Sequence, residues 1–275
     1  MVELTTLVED RTGTRDTLRR EHGISVFVKT DRASVLFDTG QSDAFLHNAH
    51  LLRVDLHAVE KVVISHGHYD HTNGLEHLVH SGHSRFDLYV GSGFFDPKHK
   101  RIGPTWAYLG PSFDRAWLKQ HGVSVFLIDA TPMEIAPGMW LVRGFNRTDP
   151  HETDRPDFVV ERSDETAIDD FRDELALVVR DAGKLVVVVG CSHPGIMNML
   201  TGIRESFSEP ITALVGGFHL LHADVEHVKR VADFLNHLEI DLVGACHCTG
   251  SAAMDLMKER IPGYFDNVPG TQLRI

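Results

Sequence analysis

Four short apolar runs, widely separated along 275 residues, each finish in one or more small residues or a single aromatic and then a histidine. "VVIS" leads into His66, "VVVVGCS" into His193, "ALVGGF" into His219 and "DLVGAC" into His247. Runs of this length, rich in Val and Ile, suit β-strands. In α/β sheets, ligands gather beyond the carboxyl ends of strands, so a fold that aligns these ends brings the four histidines to one edge. A single strand-end histidine is more often a satisfied loop residue. Four that share one pattern, with one of them inside a dense polar cluster, point to a site.

Other strand-like runs are "ISVFV" (24–28), "SVLF" (34–37), "DLYV" (87–90), "VSVFLI" (123–128), "MWLV" (139–142) and "LALVV" (175–179). The early ones follow one another as hairpins do, and the later ones alternate with helix-like segments at 194–207, 224–238 and 251–261. In the second of these, Asp224 is placed to cap an apolar stripe of Val225, Val228, Val231, Phe234, Leu235 and Leu238. The expected class is α/β, with helices covering sheet faces. No repeat or linker interrupts the chain, so one domain over 1–275 is expected. The polar, Pro- and Asp-rich stretch 145–170 predicts a long surface excursion of the kind that forms lids or binding loops.

A hydrophobic fraction of 42% permits a sizeable core, and no stretch reaches the roughly 18 apolar residues of a membrane span. Glu3, Glu9 and Asp10 stand where a signal peptide would be basic and then apolar, which predicts a cytoplasmic protein. The net charge of -12 argues against nucleic-acid or anionic-membrane partners, because phosphate binding draws on clustered Lys and Arg. The expected partner is a small-molecule substrate, and the oligomeric state is left open. Cys191, Cys246 and Cys248 read as reduced thiols or metal ligands rather than a disulfide framework. Of nineteen histidines, His47, His50, His57, His77, His80, His83, His99, His121, His227 and His237 fit a solvated surface, as does His222.

The cluster "HGHYDH" (66–71) is spaced for metal. In extended backbone His66 and His68 project to one side, and Asp70 and His71 follow closely enough to reach a second ion. Imidazole mixed with carboxylate suits Zn, Mn or Fe better than Ca or Mg, and the scarcity of cysteines argues for an open catalytic sphere.

This segment is the His-x-His-x-Asp-His pattern of the metallo-β-lactamase superfamily, which the chain resembles over nearly its whole length. "HGISVFV", "LFDTGQSDAFLHNA", "VVVVGCSHPGI" (186–196), "LVGGFHLL" (214–221) and "CHCTG" (246–250) extend the likeness to the branch typified by 7,8-dihydropterin-6-methyl-4-(β-D-ribofuranosyl)aminobenzene-5'-phosphate synthase. The resemblance implies an αβ/βα sandwich with two central mixed sheets, helices on the outer faces, and one or two ions at the sheet edge. Zn2+ is the expected ion, with Mn2+ or Fe2+ as alternatives. By resemblance His66 and His68 serve the first ion, Asp70 and His71 the second, His247 completes the second, and Asp38 steadies the ligand loop from behind.

His193 is taken as the third ligand of the first ion, and Cys191 stands where the superfamily usually has a bridging aspartate. Asp70 is also a candidate base. His219 is a metal neighbour, a proton donor to substrate, or a structural residue. Cys246 and Cys248 are expected to point away from His247. The acidic run Asp169, Asp170, Asp173 and Glu174 is expected on a solvated face, and Arg147 is a candidate partner for a substrate phosphate. The expected activity is that of a metal-dependent hydrolase or transferase on a small phosphorylated or pterin-like molecule. The alternatives are a generic hydrolase of phosphodiesterase, nuclease or lactonase type, or a metal-binding sensor without turnover.

Overall fold

The computed structural model describes residues 1–83, 85–152, 156–162 and 165–275. Strands and helices are numbered along the chain. One mixed sheet runs in the order β17 (Gln272–Arg274), β1 (Val2–Val8), β2 (Ser25–Thr30), β3 (Ser34–Phe37), β4 (Lys61–Val63), β5 (Asp87–Gly91) and β8 (Ser124–Ile128), antiparallel as far as β3 and parallel beyond it. A second runs β16 (Leu242–Cys246), β15 (Ile211–Gly217), β14 (Lys184–Val189), β13 (Ala176–Asp181), β10 (Met139–Val142) and β9 (Met133–Ala136), parallel from β16 to β14 and antiparallel after it.

The two sheets share a core. Val26, Val28 and Val63 of the first meet Leu177, Val179, Val186 and Val188 of the second. The alternating residues Val178, Val187 and Val189 turn the other way, onto α5 (Ile196–Ser206), α6 (Val225–His237) and α7 (Ser251–Arg260). Both faces of β13 and β14 are thus covered, which is why they read as unbroken apolar runs. Asp224 caps α6 by accepting from the His227 amide at 2.7 Å, as its sequence predicts. On the opposite face of the molecule, Phe45 of α1 (Ala44–Leu52), Leu75 and Leu78 of α3 (Gly74–His80) and Leu118 of α4 (Arg115–Gln120) pack on Leu36, Val62 and Leu88 of the first sheet. The architecture is the αβ/βα sandwich that the resemblance implied.

A third, antiparallel sheet of β12 (Glu165–Ile168), β11 (Phe158–Arg162), β6 (Lys98–Ile102) and β7 (Thr105–Tyr108) corrects the sequence reading. Much of the stretch expected as a loop at 145–170 is strand, with 153–155 and 163–164 outside the described residues. β6 and β12, "KHKRI" and "ETAI", carry little apolar signal, whereas β11, "FVVER", buries Phe158 and Val160 but is passed over within the polar stretch. Among the described residues no helix is long and apolar enough to cross a membrane.

Strand direction builds one shared edge. The parallel strands β3, β4, β14, β15 and β16 all end there, and antiparallel pairing adds the end of β1 and the starts of β2 and β13. Two sheets therefore deliver side chains to one place.

Candidate metal centre

The loop after β4 is held by backbone bonds that leave its histidine tips unengaged. The Ser65 amide donates to Asp38 Oδ1 at 2.6 Å, and the Gly67 amide donates to Asp173 Oδ2 at 2.8 Å. Position 67 must be glycine, because a Cβ there would stand 2.4 Å from the Phe94 carbonyl oxygen. His66 Nδ1 sits 2.9 Å from Ser65 Oγ, so its Nε2 faces inward, 2.9 Å from His68 Nδ1 and 3.2 Å from His193 Nε2. A tetrahedral ion with metal–nitrogen bonds of about 2.0–2.1 Å has ligand edges of about 3.3 Å. The three nitrogens are therefore already spaced for one ion. Phe171 stacks on His193 at 4.1 Å between ring centroids and 4° between planes, which fixes that ring.

A second group assembles beside it. His71 donates through Nδ1 to Asp38 Oδ2 at 2.7 Å, leaving Nε2 3.2 Å from Cys191 Sγ and 3.5 Å from Asp70 Oδ2. His247 Nδ1 is tied to Asp10 Oδ1 at 2.7 Å, and its Nε2 lies 3.2 Å from Asp70 Oδ2, buried and without hydrogen-bond geometry to any group. In each ring the outer nitrogen is engaged by an oxygen and the inner one is presented, the arrangement that fixes a ligand tautomer. Asp38, Ser192, His219 and His247 adopt left-handed φ of 57°, 58°, 52° and 51°, conformations retained only where the surroundings over-determine them.

The electrostatics suit cation binding. Burial pushes His66, His68 and His193 well below the ordinary imidazole pKa, and neighbouring imidazoles add to the effect, so all three are neutral as ligands must be. Burial opposes ionisation of Asp70, but His71 and His247 overcome it and hold the carboxyl far below its usual range. Burial and the neighbouring Asp173 charge push the Glu174 carboxyl well above its usual range; it lies beneath His66 and accepts from the Ser192 amide at 3.0 Å. A cavity of about 510 Å³ opens over both groups, walled by Leu109, Phe158, Leu221 and Met254 with the cations Arg11 and Lys100.

The structure thus brings together His66, His68 and His193 in one group and Asp70, His71, Cys191 and His247 in another, with Asp38 behind. His219 lies 4.3 Å from His193, ring to ring, and borders the cavity. Arg147 is not among the residues lining that cavity; it donates to the Asp170 carbonyl at 3.0 Å and packs over Phe171. Asp169, Asp173 and Glu174 are buried rather than solvated, because the start of β13 runs under the site. His83 is buried too, with Nε2 2.9 Å from the Val59 carbonyl oxygen. Cys246 does point away, into the core beside Asn267, but Cys248 does not: after β16 the chain turns into a 3-10 helix at His247–Thr249, and strand alternation ends. His222 is exposed as expected, at the cavity rim.

Sequence reasoning passed over Glu9, Asp10 and His22. β1 ends in Glu9 and Asp10 as other strands end in histidine, and that signal was available: Glu9 Oε2 accepts from the His247 amide at 3.3 Å, while Asp10 contacts His22 at 2.8 Å as well as His247. His22 Nε2 in turn lies 3.4 Å from Asp70 Oδ2.

A family model for the metallo-β-lactamase superfamily matches residues 19–85. A solved structure described as a metal-dependent hydrolase of the β-lactamase superfamily is 36% identical and superposes with a TM-score of 0.88, over 100% of this chain and 99% of its own. The 7,8-dihydropterin-6-methyl-4-(β-D-ribofuranosyl)-aminobenzene-5'-phosphate synthase of Methanocaldococcus jannaschii is 23% identical over 282 residues, spanning 97% of this chain and 94% of the synthase. Zn(2+)-bound PqqB from Methylobacterium extorquens, 14% identical with a TM-score of 0.62 over 99% of this chain and 100% of its own, shares the fold.

Proposed function

The chain belongs to the metallo-β-lactamase superfamily, and from that premise we propose that it is a metal-dependent enzyme acting on a small phosphorylated, ring-bearing substrate of pterin type. The fold implies divalent metal binding, and most members of the superfamily are metal-dependent enzymes. The observation that carries the reading is the pairing of two ligand groups with one cavity whose walls are apolar and whose cations are Arg11 and Lys100.

His66, His68 and His193 would hold one ion, and Asp70, His71, Cys191 and His247 the other. Nitrogen donors with one thiol and one carboxylate fit Zn2+, with Mn2+ or Fe2+ as alternatives. Such ions supply Lewis acidity toward phosphoryl and carbonyl oxygens and acidify water. The protein's own groups do the rest. Lys100 neutralises a phosphate on the substrate, while the Arg11 guanidinium is held by Glu9, Asp266 and the Asn267 carbonyl; Phe158 and Leu109 offer apolar surface to the substrate ring, and Asp10 and Asp38 keep the rings of His247 and His71 in register. His219, at the rim shared with His193, is placed to give a proton to a leaving oxygen, whereas Asp70, held far below its usual range by His71 and His247, suits a ligand rather than a base.

Likeness to the synthase favours group transfer, in which an arylamine displaces the pyrophosphate of a dihydropterin. Likeness to the hydrolase favours attack by water in the same site. Purified protein with its metal content measured would be offered dihydropterin pyrophosphate with and without the arylamine ribofuranosyl phosphate. Arylamine-dependent pyrophosphate release supports transfer, and release independent of the amine supports hydrolysis. Metal lost on His66→Ala with no turnover of either substrate, nor of phosphodiesters or lactones, by the wild type would refute the enzyme reading in favour of a sensor.

A further inference from the structure

The two ligand groups leave a set of softer donors beside them. Cys191, His219 and Cys248 follow the ends of β14, β15 and β16, and one ligand atom from each lies within 4.8 Å of the others. Both thiols are free and buried. Among the described residues His219 Nδ1 is buried with no hydrogen-bond partner, and Cys248 Sγ lies 3.5 Å from the Cys191 carbonyl oxygen. The sulfur has a place made for it: a Cβ on Gly217 would stand 2.5 Å from Cys248 Sγ. All three side chains also border the 510 Å³ cavity.

We propose that these residues form a third cation site, for a thiophilic divalent ion of the Cd2+ or Zn2+ class, ligated by the Cys191 and Cys248 thiolates and an imidazole nitrogen of His219. Cys191 is shared with the Asp70, His71 and His247 group. Metal–sulfur bonds of about 2.3 Å and metal–nitrogen bonds of about 2.0–2.1 Å need ligand edges of about 3.6–3.8 Å, so side-chain shifts of about 1 Å close the site. Cys191, already a thiolate on the neighbouring ion, gains a second metal–sulfur bond as a bridge, and Cys248 forms the other by losing its proton to solvent, one per ion bound. The ion and the newly formed Cys248 thiolate add one net positive charge, and the bridging Cys191 thiolate lies between the two ions. The fourth position faces the cavity and stays open to water or substrate.

The test is titration of the metal-free full chain with Cd2+ under reducing conditions, following equivalents bound and thiolate-to-cadmium absorption. Wild type is expected to bind one equivalent more than Cys248→Ser and to show about twice its charge-transfer intensity. His219→Ala should weaken that equivalent by more than the roughly 10–100-fold typical of outer-shell partners. Cadmium NMR of the wild type guards against misfolding of the variants, and a resonance shifted by two thiolate ligands is expected. Equal equivalents and absorption in a folded Cys248→Ser protein, or no two-thiolate resonance in the wild type, would overturn the proposal. Loss of metal in His66→Ala reports on the main centre alone, so the two failures are distinguishable.

Discussion

Asp38→Asn separates the two ligand groups by one atom. The Asp38 carboxylate accepts from the Ser65 amide at 2.6 Å and Ser65 Oγ at 2.8 Å, and takes the Nδ1 proton of His71 at 2.7 Å, all in a fully buried setting. Asparagine preserves shape and tolerates the left-handed φ of 57°. It has one acceptor oxygen where aspartate has two, and both the Ser65 amide and His71 Nδ1 are donors, so neither amide orientation satisfies both. Keeping the Ser65 bond turns an NH2 toward His71, and the ring must then carry its proton on Nε2, the atom that faces Cys191 and Asp70. A protonated nitrogen is no ligand. Losing such an outer partner typically weakens an ion by 10–100-fold, or about 1.4–2.7 kcal/mol, and removing a buried charge-assisted bond lowers stability by about 1.5–3 kcal/mol. His66 feels the change only through Ser65 Oγ. Competition with a chromophoric chelator should therefore show one ion weakened by that factor and the other nearly unchanged, in a protein that still unfolds cooperatively. Two unchanged affinities, or equal weakening of both, would refute this account of how the rings are fixed.

Lys98 and Asp173 form a buried pair at 3.1 Å, with side chains 2% and 1% exposed; Lys98→Met strands the aspartate and should cost about 3–5 kcal/mol in urea unfolding, and a loss below about 1 kcal/mol would count against the pair. Glu152 caps the start of α5 through the Met197 and Asn198 amides, and burial raises its pKa from 4.5 to about 7. The folded state therefore holds a proton that the unfolded state has released, so this group's contribution is full below about pH 4.5 and is lost as pH rises through about 7, by up to about 3 kcal/mol. Glu152→Gln should flatten that decline between pH 5 and 8, and parallel stability curves for the two proteins would argue against it. Lys100 lies 5.0 Å above the Phe158 ring at the cavity wall; Lys100→Ala should raise KM for a phosphorylated substrate about tenfold, equivalent to about 1.4 kcal/mol, with kcat less affected, and an unchanged KM would remove it from substrate recognition.

What was legible in the sequence follows from what burial writes into it. β4, β14, β15 and β16 end in site residues and are covered on both faces or nearly so, so their apolar runs announce both the strand and its end. β1 has the same grammar, but its polar end, Glu9 and Asp10, reads equally well as an N-terminal charge until pairing with β2 brings it to the edge. The acidic run was misplaced for a related reason. Asp173 and Glu174 look like any solvated pair, and only the partners that make burial tolerable identify them: the Gly67 amide and Lys98 for one, the Ser192 amide for the other. None of those partners is near in sequence.

The same geometry explains why the ligand set could be assembled from the chain and its chemistry could not. His66 and His68 hang from one sheet and His193 and His247 from the other, so each ligand group straddles the sandwich and exists only when both sheets are docked. Ligands of that kind repeat a strand-end pattern that survives in sequence. The cavity wall is different: Arg11 follows the end of β1, Lys100 and Phe158 come from the third sheet, Leu221 lies in the connection after β15 and Met254 on α7. Substrate choice rests on side chains scattered over separate elements, and although Phe158 and Met254 are buried, no shared strand-end pattern marks them in the sequence. Exchanging the β6–β7 hairpin between superfamily members should for that reason change KM and substrate preference while leaving metal content intact. Loss of metal on such an exchange would show that the third sheet supports the ions rather than the substrate.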